Sequence, residues 1–137
     1  MKKMHVVAVV TKYNGTYLIA KRAPSMPSHA NLWGVIAGLI ESKENVKEAA
    51  LRELREETGL IGEVIMVGEE FVLEEKAHKY FITPVLVKTN SNNVILDGEH
   101  TNYEWIYPNE LWNYKCVPKT EKDFMVLGID IGKPSQL

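Results

Sequence analysis

Residues Gly38–Leu60, GLIESKENVKEAALRELREETGL, hold the densest pattern in the chain. They read as a helix with both ends specified. Asn45 is a plausible N-cap, and Glu48 three positions later completes a capping box. Val46, Ala50 and Leu54 recur every four residues as an apolar stripe, with Leu51 at its edge. Gly59 falls where a left-handed C-terminal cap belongs. On another face, Glu53, Glu56 and Glu57 stand at spacings i, i+3 and i+4.

Such crowding has a cost. Like charges at i,i+4 destabilise a helix by roughly 0.2–0.5 kcal/mol per pair, and they raise each other's pKa unless a cation compensates. Two explanations fit the helix alone. One is a solvated face laced by ion pairs, with Glu48 reaching Arg52 and Arg52 reaching Glu56. The other is a set of hard oxygen ligands, suited to magnesium or manganese, held beside a glycine loop.

The residues around the helix tilt the balance to the second. Gly38 is followed after five residues by Glu44, and after seven more by Arg52-Glu53-Leu54. A spacer, Glu56-Glu57, a spacer, Gly59 and Leu60 complete the series. This arrangement resembles the Nudix box, the signature of a family of hydrolases that includes MutT, with all nine defining positions filled. The resemblance implies one domain over residues 1–137, an α/β/α sandwich with a mixed sheet between helices. It also implies a metal-dependent hydrolase that splits a diphosphate linkage in a nucleoside diphosphate derivative.

By that resemblance Glu53, Glu56 and Glu57 are the metal-binding and catalytic acids, joined as a ligand by the carbonyl of Ala37. Arg52 carries over as the box arginine, expected to hold Glu56 or Glu44 by charge-assisted bonds. Glu44 is then a brace, Gly38 a turn position and Glu41 an outer acid. The family more often has Pro-Gly-Gly where this chain has Ile36-Ala37-Gly38, and Lys43 replaces a common glycine. A carbonyl ligand survives alanine wherever φ is negative. The implied cofactor is Mg²⁺, with Mn²⁺ able to substitute.

Composition sets wider bounds. With 45% hydrophobic and 25% charged residues, the chain is ordinary for a globular protein, and 137 residues suffice for a real core. A net charge of −2, with no Lys/Arg block longer than two, argues against duplex DNA or long RNA as the partner. A small nucleotide needs only local positive charge. Cys116 is the sole cysteine, which excludes an intrachain disulfide and fits a reducing compartment. Lys2-Lys3 precede an apolar run too short for a signal sequence, and nothing reaches membrane-spanning length. A cytoplasmic monomer or homodimer is expected. His5, His29, His78 and His100 lack ligand spacing and read as surface or loop histidines.

In chain order, Met4–Lys12 is a valine-rich buried strand, turned by Asn14-Gly15 into Thr16–Arg22. In Nudix enzymes a basic residue at the end of this second strand often contacts the substrate, and by that resemblance Arg22, which stands there, is the expected substrate-binding cation. A loop, residues 23–32, leads to a strand over Trp33–Leu39. Gly62–Leu73 and Lys79–Lys88 read as two long strands turned by Glu74–Lys76, with Pro84 demanding an edge position or a bulge. Val94–Leu96 reads as extended. Glu104–Tyr107 is the last strand, Pro108–Leu111 starts a short helix, and Lys119–Leu127 forms another with Asp123 off the Phe124/Leu127 face.

Glu99, six residues before Trp105, matches a family spacing in the loop feeding the last strand. It is the favoured general base, with Glu53 the alternative. Trp33, Tyr17, Tyr80 and Tyr103 are the candidate aromatics for base stacking. The layout points to a nucleoside triphosphate as substrate. ADP-ribose and dinucleoside polyphosphates come next, and a non-catalytic nucleotide sensor is the reading from another class.

Overall fold

A computed structural model describes residues 1–135 of the chain. Eight strands form one mixed sheet: β1 (Lys2–Tyr13), β2 (Thr16–Arg22), β3 (Trp33–Gly34), β4 (Ile36–Leu39), β5 (Gly62–Val67), β6 (Phe71–Glu75), β7 (His78–Thr89) and β8 (His100–Ile106). Helix α1 (Val46–Thr58), a 3₁₀ turn (Pro108–Asn113) and helix α2 (Thr120–Val126) complete the order.

The alternation of β1 explains the layering. Val7 and Val9 pack with Leu18, Ala20, Ala50, Leu54, Val85 and Val87 under α1. Val10 instead joins Tyr17, Ile19, Leu111, Phe124 and Leu127 under α2 and the 3₁₀ turn. Neighbouring residues of a strand point to opposite faces, so a run of valines buried throughout belongs to a strand covered on both sides. The expected sheet between helices is what forms. α1 starts and stops as its sequence specifies: Asn45 and Glu48 make both halves of the capping box, and Gly59 closes the helix at φ 75°.

The topology departs from the sequence reading in the strands. β1 and β2 are hydrogen-bonded only near their hairpin turn, at Lys12–Tyr17 and Tyr13–Thr16. Beyond it they splay apart, and Trp33–Leu39 enters the gap as two strands rather than one. β3 pairs with β2 and β4 with β1, the chain stepping across at Val35. This wedge leaves a cleft in the sheet.

Gly62–Leu73 likewise divides. β5 and β6 both pair with β7 but leave the ladder over residues 68–70. Pro84 lies opposite that interruption, inside β7, which runs parallel to β1 along its length. Of the two options for this proline, the edge is ruled out and the irregularity holds. A residue's N–H and C=O face the same neighbour, and the Pro84 carbonyl accepts from the Gly68 amide at 2.8 Å. Its missing donor therefore faces the gap and removes no ladder bond. The β6–β7 turn falls at Lys76-Ala77, later than Glu74–Lys76, because Glu74 and Glu75 still pair with Lys79 and His78. Val94–Leu96 joins no strand, and the Ile95 amide instead donates to the Thr58 carbonyl at the end of α1.

Two substitutions check this arrangement by denaturant unfolding. Leu54→Ala empties a fully buried position and is expected to cost about 2–5 kcal/mol. Pro84→Ala restores an unused donor and relaxes the unfolded chain, and is expected to cost under ~1 kcal/mol.

Candidate active site

Glu53 lies so close to Gly38 that a Cβ there would sit 2.1 Å from its carboxyl carbon. The glycine is required by close approach, since its φ is not in the left-handed region. Glu53 is fixed from the other side by Arg52, whose Nη1 donates to Oε1 at 2.8 Å.

Arg52 holds the whole loop. Its Nε and Nη2 donate to the two Glu44 oxygens at 2.6 and 2.8 Å, and Nη2 also donates to the Leu39 carbonyl at 3.0 Å. Nη1 reaches Glu56 Oε2 at 3.2 Å and lies 3.6 Å from Glu41. The guanidinium thus bonds both carboxylates that the sequence offered as its partners. Glu44 also accepts from the Glu41 amide. These bonds, Arg52 first, hold the Glu44 carboxyl down at about 2. A planar fork can bind bidentately and still donate elsewhere, which lysine cannot do.

Glu57, one turn beyond Glu53, sits in the opposite environment. It is only 5% exposed, and no donor among the described residues satisfies its Oε2. Burial, then Glu53, Asp97 and Glu99, push its carboxyl far above the usual range, to about 11. Asp97 and His100 stand beside it: His100 Nδ1 is 3.0 Å from Asp97 Oδ1 and 4.0 Å from Glu57 Oε1. One ligand atom from each of the three lies within 4.8 Å of the others. A buried carboxyl with an orphan oxygen, a half-buried second carboxylate and an imidazole together make a donor set that fits a divalent cation.

Sequence reasoning missed Asp97 and His100. His100 is 9% exposed, contrary to the surface or loop histidine expected. Its ring meets Glu57 only because β8 begins beside the end of α1, where the Asp97 amide donates to the Glu57 carbonyl at 3.2 Å. The expected acids divide in part: Glu53 and Glu56 are held by Arg52, while Glu57 faces Glu53 and also stands beside Asp97 and His100. The Glu56 side chain is 55% exposed. Glu99 is exposed on the loop before β8, its amide bonded to Asp97 Oδ1 and its carbonyl to the Ala23 amide.

The cleft opened by the wedge has a volume of about 190 Å³. Val6, Ala8, Val35, Ile82 and Leu73 supply apolar lining, and Ala37, Glu57 and His100 border the same space. Arg22 lines it too, with Nε donating to the Ser28 carbonyl at 3.0 Å. Of the four aromatics proposed for stacking, Tyr80 lines the cleft. Tyr17 packs on Phe124 and Trp33 on Tyr114, while Tyr103 is exposed.

Asp123 corrects another expectation. Rather than facing away from the core, it is 7% exposed, borders the cleft and has an unpartnered Oδ1. Burial, then Glu121, drives its carboxyl well above the ordinary value. The spacing held the signal: Asp123 is four residues from Leu127, about 40° away around a helix, and so shares its buried side.

A profile described as the NUDIX domain matches residues 1–126. The chain is 30% identical over 122 residues to the CTP pyrophosphohydrolase of Escherichia coli K12, covering 86% of each. It is 24% identical over 143 residues to nucleoside triphosphatase NudI of Escherichia coli O139:H28, covering 94% of this chain and 99% of that one. In structure it is similar to the MutT protein of Methanosarcina mazei Go1, with a TM-score of 0.77, 21% identity and 90% of each chain covered. The chain belongs to the Nudix family, and its class of enzyme is diphosphohydrolase.

Two results are expected. Gly38→Ala displaces the Glu53 carboxylate, so hydrolysis should fall at least tenfold while circular dichroism and melting temperature stay close to the parent's. Glu44 has a folded pKa of about 2 against an ordinary 4.5, so its stabilisation is present above pH 4.5 and lost as pH falls towards 2. The melting-temperature gap between parent and Glu44→Gln should accordingly be widest near neutral pH and close on acidification.

Proposed function

We propose that this chain is a divalent-metal-dependent hydrolase of nucleoside triphosphates, with Mg²⁺ as cofactor and Mn²⁺ as substitute. The observation that carries the reading is Glu57: a nearly inaccessible carboxylate with an orphan oxygen, set among other acids at a cleft. Without a cation such a group avoids the cost of a buried charge by keeping its proton, and a bound divalent ion would replace that proton. The activities in the names of the two Escherichia coli relatives, on CTP and on nucleoside triphosphates, support this substrate class.

In this reading Glu53, Glu56 and Glu57, with the Ala37 carbonyl, are the metal ligands. A divalent cation held by these residues would supply charge compensation for the polyphosphate oxygens and would lower the pKa of water at the site. Arg52 keeps the Glu53 and Glu56 carboxylates oriented, a task that its four partners make rigid. Arg22, tethered by Ser28 through Nε only, has its remaining donors for the phosphates. Glu99, on an exposed loop, approaches as general base once the polyphosphate is seated.

The cleft is smaller than the ~300–1,000 Å³ of pockets that enclose a whole drug-sized ligand. It accommodates a base-sized ring, leaving the polyphosphate along α1. Burial pushes the Asp123 carboxyl well above its ordinary range, and in its protonated form it offers that ring a donor and an acceptor side by side. Such an edge complements N3 and the 4-amino group of cytosine, or N1 and the 6-amino group of adenine.

The test is a panel of nucleoside triphosphates, ADP-ribose and dinucleoside polyphosphates with Mg²⁺, with products identified by mass. Turnover of triphosphates is expected, with Glu57→Gln slower by roughly 10³-fold, about 4 kcal/mol of barrier. Asp123→Ala is expected to raise KM for the preferred base more than it lowers kcat. Tight binding without turnover across the panel would contradict the enzyme reading and favour a sensor.

A further inference from the structure

Glu57, Asp97 and His100 form a grouping that the Nudix box does not contain, since two of the three lie some forty residues past it. The loop carrying them is pinned to the end of α1: the Ile95 amide donates to the Thr58 carbonyl at 2.9 Å and the Asp97 amide to the Glu57 carbonyl at 3.2 Å. Its far side is pinned to the strand layer by the Ala23 amide donating to the Glu99 carbonyl at 2.8 Å. The side chains are therefore brought together by fixed backbone.

Their charges do not balance. Among the described residues the basic group within 4.0 Å of Glu57 or Asp97 is His100 alone. Glu57, more than nine-tenths buried, also keeps an unpartnered oxygen. An Asp–His hydrogen bond serving only to brace the loop would not explain that oxygen.

The spacings suit coordination. Ligands about 2.0–2.2 Å from one ion, at right angles to each other, stand about 3 Å apart. His100 Nδ1 and Asp97 Oδ1 are already 3.0 Å apart. His100 Nδ1 and Glu57 Oε1 stand 4.0 Å apart, wider than that spacing, and all three candidate ligand atoms lie within 4.8 Å of one another.

Resting on the metal-dependent reading above, we infer that Asp97 and His100 join Glu57 in a mixed nitrogen–oxygen site that selects a transition ion, manganese or cobalt, over magnesium. Imidazole favours first-row transition metals, whereas magnesium keeps to oxygen and water. The box carboxylates alone supply oxygen and discriminate less. Binding through His100 makes a manganese-class ion the preferred occupant of this site and magnesium the substitute, reversing the order that the family resemblance alone implies.

The experiment is pulsed electron paramagnetic resonance of the intact protein loaded with Mn²⁺, read for nitrogen-14 modulation, together with calorimetric titration of Mn²⁺ and Mg²⁺. Modulation is expected in the parent and is lost in His100→Gln. Mn²⁺ binding should weaken at least ~tenfold in His100→Gln and in Asp97→Asn, with Mg²⁺ binding changed less than about twofold in His100→Gln. Bound Mn²⁺ without nitrogen modulation in the parent overturns the inference and leaves the carboxylate metal site standing. No Mn²⁺ binding at all overturns both. The parent spectrum decides the question even where a variant fails to fold.

Discussion

One guanidinium holds this site in shape. Arg52 binds Glu44 bidentately, and also meets Glu53, Glu56 and the Leu39 carbonyl. A half-buried arginine with this many anionic partners makes each of its bonds cooperate with the others, because all share the same fork. It ties the glycine loop, the start of the helix and two of its acids into one rigid body. Glu57 alone of the three helix acids escapes it, and Glu57 is the one left with an unsatisfied oxygen. The charge that Arg52 cancels and the charge that it leaves uncancelled are both parts of the same design.

The sheet provides the second half of the site. Splaying β1 from β2 and inserting β3 and β4 between them opens a cleft that reaches from Glu57 and His100 to Asp123. Acids from a helix on one face and from α2 on the other thereby border one space. A nucleotide needs both: charge compensation for its phosphates and a shaped, mostly apolar seat for its base. Neither core cluster alone would supply the pair.

What could be read from the sequence was local. The caps of α1, its apolar stripe, the acids of the box and Arg52's choice of partners depend on residues close together along the chain, and spacing encodes them. The layering followed from the buried valines of β1. What could not be read was convergence. Nothing near His100 in sequence says that it meets Glu57, because that contact is made by where β8 starts. The break between β5 and β6 needed two facts held together, Gly68 on one strand and Pro84 on its partner. Asp123 was legible and misread: its place four residues before Leu127 put it on the buried side of α2, and an acid there is a polar group with a purpose. The roles of Glu53, Glu56, Glu57, Arg22, Ala37 and Glu99 rest on the family pattern and on where their atoms stand.

The proposed task of the Glu57 carboxyl at the end of α1 is to hold a divalent ion. It is tested most directly by X-ray diffraction from a crystal soaked in manganese, with data collected near the metal's absorption edge. An anomalous peak is expected within coordination distance of a Glu57 oxygen. A fully soaked crystal with a featureless map around that side chain would contradict it.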